Sequence, residues 1–204
     1  KIVENGVNLK ILSLENENTS TLQEIKNITI LGRIDPRKGQ HHVVEVADLL
    51  YERNPDLKFQ IIGAPTLNDP KTIKYDEEIQ QTAKDRKLTN VKFYGEVPSP
   101  FETFAQSDIV LALPTEPETF GRIVIEAMAM GKMILVFDQT GPREIIQSYI
   151  QWVWRTHNIK IDEQAFIIEN QNTMSLAEKI GYYADTPDAL TELTTYMKDF
   201  VAEN

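Results

Sequence analysis

Arg33 and Lys38 lie between two glycines early in the chain, in Gly32-Arg33-Ile34-Asp35-Pro36-Arg37-Lys38-Gly39. Glycine lets backbone approach a ligand. Where such a loop opens a helix, the first free N–H groups face an anion. Arg33 and Lys38 add two cations to that arrangement, which suits a diphosphate. The Gly-Lys-Ser/Thr of a Walker loop is missing, and so is the Gly-x-Gly-x-x-Gly of a dinucleotide site. On spacing alone the same residues also suit a plain charged turn.

A second constellation is Pro114-Thr115-Glu116-Pro117-Glu118-Thr119-Phe120-Gly121, running into Arg122-Ile123-Val124-Ile125-Glu126-Ala127-Met128. Glu118 stands just before a helix start, where a carboxylate is comfortable. Gly121 opens the helix and exposes its amides. Glu126 lies about five residues further in, or ~7.5 Å along the axis. Two carboxylates so spaced can receive different parts of one elongated polar ligand. The alternative is a helix cap and a solvated helix glutamate, although Val124, Ile125, Ala127 and Met128 give Glu126 apolar company. A third loop, Thr140-Gly141-Pro142-Arg143-Glu144, carries little weight alone. His41, His42 and His157 lack metal-ligand spacing and read as helix-surface or loop residues.

The elements that must position these loops follow from apolar periodicity. Strands are predicted at 28–31, 57–62, 91–94, 109–113, 133–137 and 165–168. A helix carries Val43, Val46, Ala47 and Leu50 on one face. Further helices fall at 75–87, 101–106, 122–130, 143–149, 175–183 and 189–202, and the stretch after 149 is less regular. This alternation implies an α/β fold, a doubly wound, parallel six-stranded sheet of Rossmann-like type. Ligands then bind at the carboxyl ends of the strands near the topological switch point, so the strand-to-helix loops are the place to look. Residues 10–26 are polar and read as a linker.

Composition narrows the classes. The chain has 204 residues, enough for one large domain or a domain with an appendage, and 41% of them are apolar. Thirty-one acidic residues against 21 basic ones give a formal charge of −10. The basic residues do not cluster, which argues against a nucleic-acid partner. Cysteine is absent, so disulfides and thiolate metal sites are excluded, and a reducing, cytoplasmic setting fits. No apolar run approaches the roughly 18 residues of a membrane span.

Taken together, the motifs resemble a known family. Arg33 and Lys38 between glycines, Glu118 and Glu126 with seven residues between them, Phe120-Gly121, Glu126-Ala127-Met128-Ala129-x-Gly131 and Gly141-x-x-Glu144 occur in that order. This is similar to the C-terminal, donor-binding domain of the group 1 glycosyltransferases, which are retaining enzymes of GT-B fold. Tyr94-Gly95-Glu96-Val97 and Ser107-Asp108-Ile109 also resemble its pattern. The likeness runs roughly from Asn27 to Leu190. It implies that Arg33 and Lys38 contact the diphosphate of a nucleotide-sugar donor, with Gly32 beside them. Glu118 would meet hydroxyls of the transferred sugar, beside the backbone of Thr119, Phe120, Gly121 and Arg122. Glu126 would accept from the ribose, and the base would lie near Gly63, Gly95 and Val97. Arg33, Lys38 and Glu118 would be the catalytic set. The donor would be UDP-, GDP- or ADP-linked, and no metal or other cofactor is expected.

The resemblance also divides the chain. Asn5-Gly6-Val7 is similar to the hinge between the two halves of a GT-B enzyme. Residues 1–26 then read as a hinge and linker remnant and 27–204 as the donor-binding domain. The acceptor domain would lie upstream in the same polypeptide, and the last helix would pack toward it. The segment 151–164, with Trp152, Trp154 and His157, departs from the short glycine-containing turn of the family. Arg122 stands where a small or aliphatic residue is common. The rival readings are a UDP-sugar epimerase and a doubly wound module that only binds or scaffolds.

Overall fold

The computed structural model of the chain describes residues 24–204. The hinge expected at Asn5-Gly6-Val7 and the linker up to residue 23 lie outside the described residues. The strands are β1 (Asn27–Leu31), β2 (Lys58–Ile62), β3 (Val91–Gly95), β4 (Ile109–Ala112), β5 (Met133–Phe137) and β6 (Ile167–Ile168). They form one parallel sheet in the order β3-β2-β1-β4-β5-β6. From β1 in the middle of the sheet the chain winds out to β3, then returns to lay β4 beside β1. The direction of winding reverses there, so the β1–β4 border is the switch point. Every residue of β4 and β5 is buried, as expected of strands covered on both faces.

The helices are α1 (Gln40–Leu49), α2 (Pro70–Asp85), α3 (Pro100–Gln106), α4 (Arg122–Ala129), α5 (Thr140–His157), α6 (Thr173–Asp185), α7 (Pro187–Thr194) and α8 (Met197–Glu203). Helix α2 begins five residues before the expected position. Asp69 caps it through the Lys71 N–H and Pro70 occupies its first turn, a strong start signal. The β1–β4 border is pinned by residues of the Ser107-Asp108 motif. Asp108 Oδ2 accepts from the N–H groups of Lys26 and Asn27, each at 2.8 Å. The buried Ser107 hydroxyl bridges the Thr29 hydroxyl at 2.7 Å and the Thr103 carbonyl at 2.9 Å.

Two expectations are corrected. The helix placed at 143–149 runs on through most of the stretch read as irregular, because Ile146, Tyr149 and Val153 continue one buried face. The helix placed at 189–202 is two helices, broken around Tyr196. Helix α8 lies against the rest of the fold. It packs on α4 and α5, with Met197 and Phe200 buried and Phe200 edge-on to Tyr149 at 5.5 Å. In that same region Trp152 donates from Nε1 to Glu203 at 3.1 Å and lies edge-on to Phe200, so it is a packing residue.

Candidate functional site

The loop after β1 is shaped by one acid. Asp35 is 4% exposed and caps the 3₁₀ turn Pro36–Lys38 by accepting from the Arg37 N–H at 3.0 Å. Its carboxylate also takes Arg37 Nε at 2.9 Å and Nη2 at 2.6 Å. The hydrogen bonds from Arg37 hold the Asp35 carboxyl down to about 2. Gly39 ends the turn at φ 74 and begins α1, and a Cβ there would collide with the carbonyl of Leu113, the residue after β4. The loop therefore presses on β4 as only glycine permits. The buried Gln40 side chain donates to the Arg33 carbonyl at 2.9 Å, and the Tyr75 hydroxyl accepts from the His41 N–H at 2.9 Å.

The loop after β4 joins this wall. Thr115 N–H donates to the Arg37 carbonyl at 3.0 Å and its hydroxyl to the Pro36 carbonyl at 3.2 Å. Across the gap, Lys38 Nζ donates to Glu118 Oε1 at 2.7 Å. A third loop braces the second: Gly141 N–H donates to the Glu118 carbonyl at 3.0 Å, so close that a Cβ at 141 would lie 2.8 Å from the Thr119 carbonyl carbon. Gly121 takes a left-handed conformation and starts α4 without any side-chain cap. One turn in, Arg122 Nη2 meets Glu126 Oε1 at 3.3 Å. Burial pushes the Glu126 carboxyl above its ordinary value, and Arg122 opposes that rise.

These walls enclose an open cleft of about 630 Å3 over the β1–β4 border. Gly32, Arg33, Lys38, Glu118, Thr119, Phe120, Arg122 and Glu126 all line it. Gly121 sits between lining residues. Gly63, Gly95 and Val97 do not line it. They lie at the ends of β2 and β3, where Gly63 N–H donates to the Gly95 carbonyl at 2.8 Å and Gly32 N–H to the Ile62 carbonyl at 2.9 Å. Among the described residues, no three His, Asp or Glu side chains are grouped to hold a metal ion.

Sequence reading named Asp35 and Gly141 without their supporting roles and passed over Gln40. Asp35, Gln40 and Gly141 act on the loops through backbone, and only the Asp-Pro start of the 3₁₀ turn left a local signal. His42 is corrected outright: it is not on the helix surface but buried between α1 and α6. Its Nδ1 shares a 2.7 Å hydrogen bond with the Thr173 hydroxyl, which donates to Glu45 at 3.0 Å. Burial lowers His42 to about 4, so it is neutral near pH 7.

The architecture and the order of the motifs have counterparts. Residues 15–200 match the family model for glycosyl transferases group 1. A D-inositol 3-phosphate glycosyltransferase of Corynebacterium urealyticum is 29% identical over 87% of this chain and 39% of its own length. The chain spans less than half the length of curated relatives of this kind. The crystal structure of Anabaena HepE in complex with UDP superposes with a TM-score of 0.74 at 19% identity, over 97% of this chain and 49% of that one. The C-terminal domain of a group 1 glycosyl transferase (LpcC) from Francisella tularensis gives a TM-score of 0.69 at 22% identity, over 88% and 85%. With a parallel Rossmann-like sheet, a charged cleft at its switch point and a family match across most of its length, the chain belongs to the group 1 glycosyl transferases.

Proposed function

We propose that this chain is the donor-binding half of a retaining, GT-B-fold glycosyltransferase that moves a hexose from a nucleotide diphosphate to a glycan or lipid-linked acceptor. One observation carries the reading. The loops after β1 and β4 bring Lys38 against Glu118 and set Arg33, Arg122 and Glu126 in the same cleft. An elongated donor laid over that cleft meets cations at its diphosphate and carboxylates at its hydroxyl-rich ends. Arg33 and Lys38 take the diphosphate, Glu118 the sugar, and Glu126 the ribose. The base lies toward Gly63, Gly95 and Val97. The UDP held by the Anabaena protein of the same fold supports a nucleotide donor.

Chemically, the step needs the glycosidic C–O bond to the diphosphate to break while negative charge gathers on the leaving oxygen. Arg33, Lys38 and the start of α1 supply positive charge and dipole for that oxygen, and such stabilisation is worth most where water is excluded. With two cations in place, no metal is required by this reading. Residues 1–26 serve as hinge and linker. The acceptor site belongs to an upstream half in the same polypeptide, consistent with a chain that spans less than half of its relatives. Holding an acceptor hydroxyl in line can supply about 7–11 kcal/mol of the barrier. The isolated chain therefore binds donor and does not turn it over, and the reaction takes place in the cytoplasm.

A thermal-shift panel of UDP-, GDP- and ADP-sugars tests the binding reading. Ligand at ~100 times its dissociation constant stabilises by about 2.7 kcal/mol. Silence across the panel favours a scaffold. Lys38→Ala and Arg33→Ala should each weaken nucleoside diphosphate by about 1.5–3 kcal/mol by titration calorimetry. Release of labelled sugar by this chain at the rate of an upstream-extended protein would refute the two-half reading.

A further inference from the structure

Arg122 is the first residue of α4, and local electrostatics disfavour a cation there. The helix presents partial positive charge at this end, and no side chain caps it. Its partner Glu126 lies four residues on, and an acid before a base is the better order for such pairs. The contact is also weak. At 3.3 Å through one nitrogen, it is longer than the ~2.7–2.9 Å of a good charge-assisted hydrogen bond and is not bidentate. The Arg122 side chain is 65% exposed while that of Glu126 is 16% exposed. Helix stability does not explain this arginine.

The charges of the cleft do. Arg33, Arg37, Lys38 and Arg122 line it together with Glu116, Glu118 and Glu126. Arg37 and, more loosely at 4.0 Å, Arg33 are taken by the buried Asp35, Lys38 by Glu118 and Arg122 by Glu126. A doubly charged ligand entering so balanced a cleft needs cations set free. Each carboxylate that accepts hydroxyl groups from the ligand releases its cation beside the phosphates. Arg122 is held loosely, it is long enough to swing, and it starts from a helix end whose free amides face the same space.

We propose that Arg122 is a third donor-binding cation, resting on Glu126 in the empty cleft and moving onto the diphosphate once the ribose occupies that carboxylate. This rests on the reading of the cleft as a nucleotide-sugar site. The competing account is that Arg122 does nothing except neutralise Glu126.

The test is calorimetric titration of the wild type, R122L, R122K, E126Q and the double variant R122L/E126Q with UDP, with GDP and ADP as parallel arms. Uridine, guanosine and adenosine are followed by NMR titration. The expected result is that R122L weakens the diphosphate about tenfold to hundredfold, the scale of one charge-assisted contact. R122K keeps part of the affinity, nucleoside binding is unchanged, and the loss persists when R122L is made in the E126Q background. A loss that vanishes in that background, or that is equal for nucleoside and diphosphate, overturns the proposal in favour of an arginine acting through Glu126. Unchanged diphosphate affinity in R122L also overturns it. A wild type that binds none of the three diphosphates overturns the reading of the cleft itself. A wild type that binds, with variants that match it, removes only the role of Arg122.

Discussion

On the β1 side of the cleft, Asp35 is almost wholly buried, clamps Arg37 through two nitrogens and caps its own turn, while Gln40 and Tyr75 tie down the adjacent backbone. On the β4 side, Phe120 is 60% exposed, α4 starts uncapped, and the loop leans on its neighbours through bonds from Thr115 and Gly141. The first wall is braced from within. The second is held from outside and carries both carboxylates that must exchange a cation for a ligand. A diphosphate site gains from cations whose supports do not move, since no reorganisation is then needed as charge develops. Groups that change partners gain from lighter restraint. The contrast between the walls is thus a division of labour, and it can be attacked from either side.

Among changes in the two walls, the largest effect should come from Gly39→Ala. The residue sits at φ 74, and the added Cβ would strike the Leu113 carbonyl. Left-handed strain and overpacking together should cost about 2–5 kcal/mol in urea denaturation. A midpoint close to wild type would mean that the β1 loop shifts freely, and the braced wall would be a false description.

Asp35→Asn probes the same wall through pH. It should lose about 1–2 kcal/mol at pH 7, since charge-assisted bonds become neutral ones. The Asp35 carboxyl is lowered from 3.8 to about 2 in the folded chain, chiefly by its hydrogen bonds from Arg37. A folded value below the unfolded one contributes stability that is complete above the unfolded value and fades as pH falls through the folded one. The gap between wild type and variant should therefore be constant at neutral pH and shrink between 3.8 and about 2. A gap that is flat across this window would assign the stability to packing.

On the other wall, the two glutamates should separate. Glu126→Gln should weaken nucleoside diphosphate by about 1–2 kcal/mol. It should not destabilise the fold, because burial already raises this carboxyl and disfavours its charge. The sign is opposite to that of Asp35: ionisation of Glu126 costs stability above its raised value, so any gain from glutamine disappears in acid. Glu118→Gln should leave nucleoside diphosphate unchanged or slightly tighter, since Lys38 is released, and should reduce the extra affinity for the intact sugar nucleotide. Equal losses for both ligands in both variants would erase the distinction.

How much of this was legible depended on range. The strand at 109–113 could be read because a continuous apolar run needs both faces covered. The Gly32–Gly39 and Glu118–Glu126 motifs could be read as loops because strand and helix patterns flank them. Helix α5 was legible in principle, since Ile146, Tyr149 and Val153 hold helical spacing, but Gln151, Trp154, Arg155 and Thr156 on its outer face masked the continuation. The break at Tyr196 carries no glycine or proline to announce it. His42 was misplaced because its partner Thr173 is 131 residues away. The bracing of the Glu118 carbonyl by Gly141 was equally out of reach, because a close backbone approach leaves no trace beyond the glycine itself.

The smallest expected effect is at Phe120, and it sharpens the contrast. Phe104 and Phe120 flank β4, one before it and one after. Phe104 is fully buried against the sheet, and Phe104→Ala should cost about 3–5 kcal/mol, as large core deletions do. Phe120 lines the open cleft and is mostly exposed, so Phe120→Ala removes little buried area and should change stability by no more than about 0.5 kcal/mol. Nucleoside diphosphate affinity should also hold, because the backbone at 119–122, not this ring, faces the donor in the proposed arrangement. The same urea and calorimetric measurements decide both points. A loss near that of Phe104→Ala would show that the ring anchors the β4 wall, and the wall would then be braced from within like its neighbour. A loss of diphosphate affinity without loss of stability would move the ring itself into the donor site.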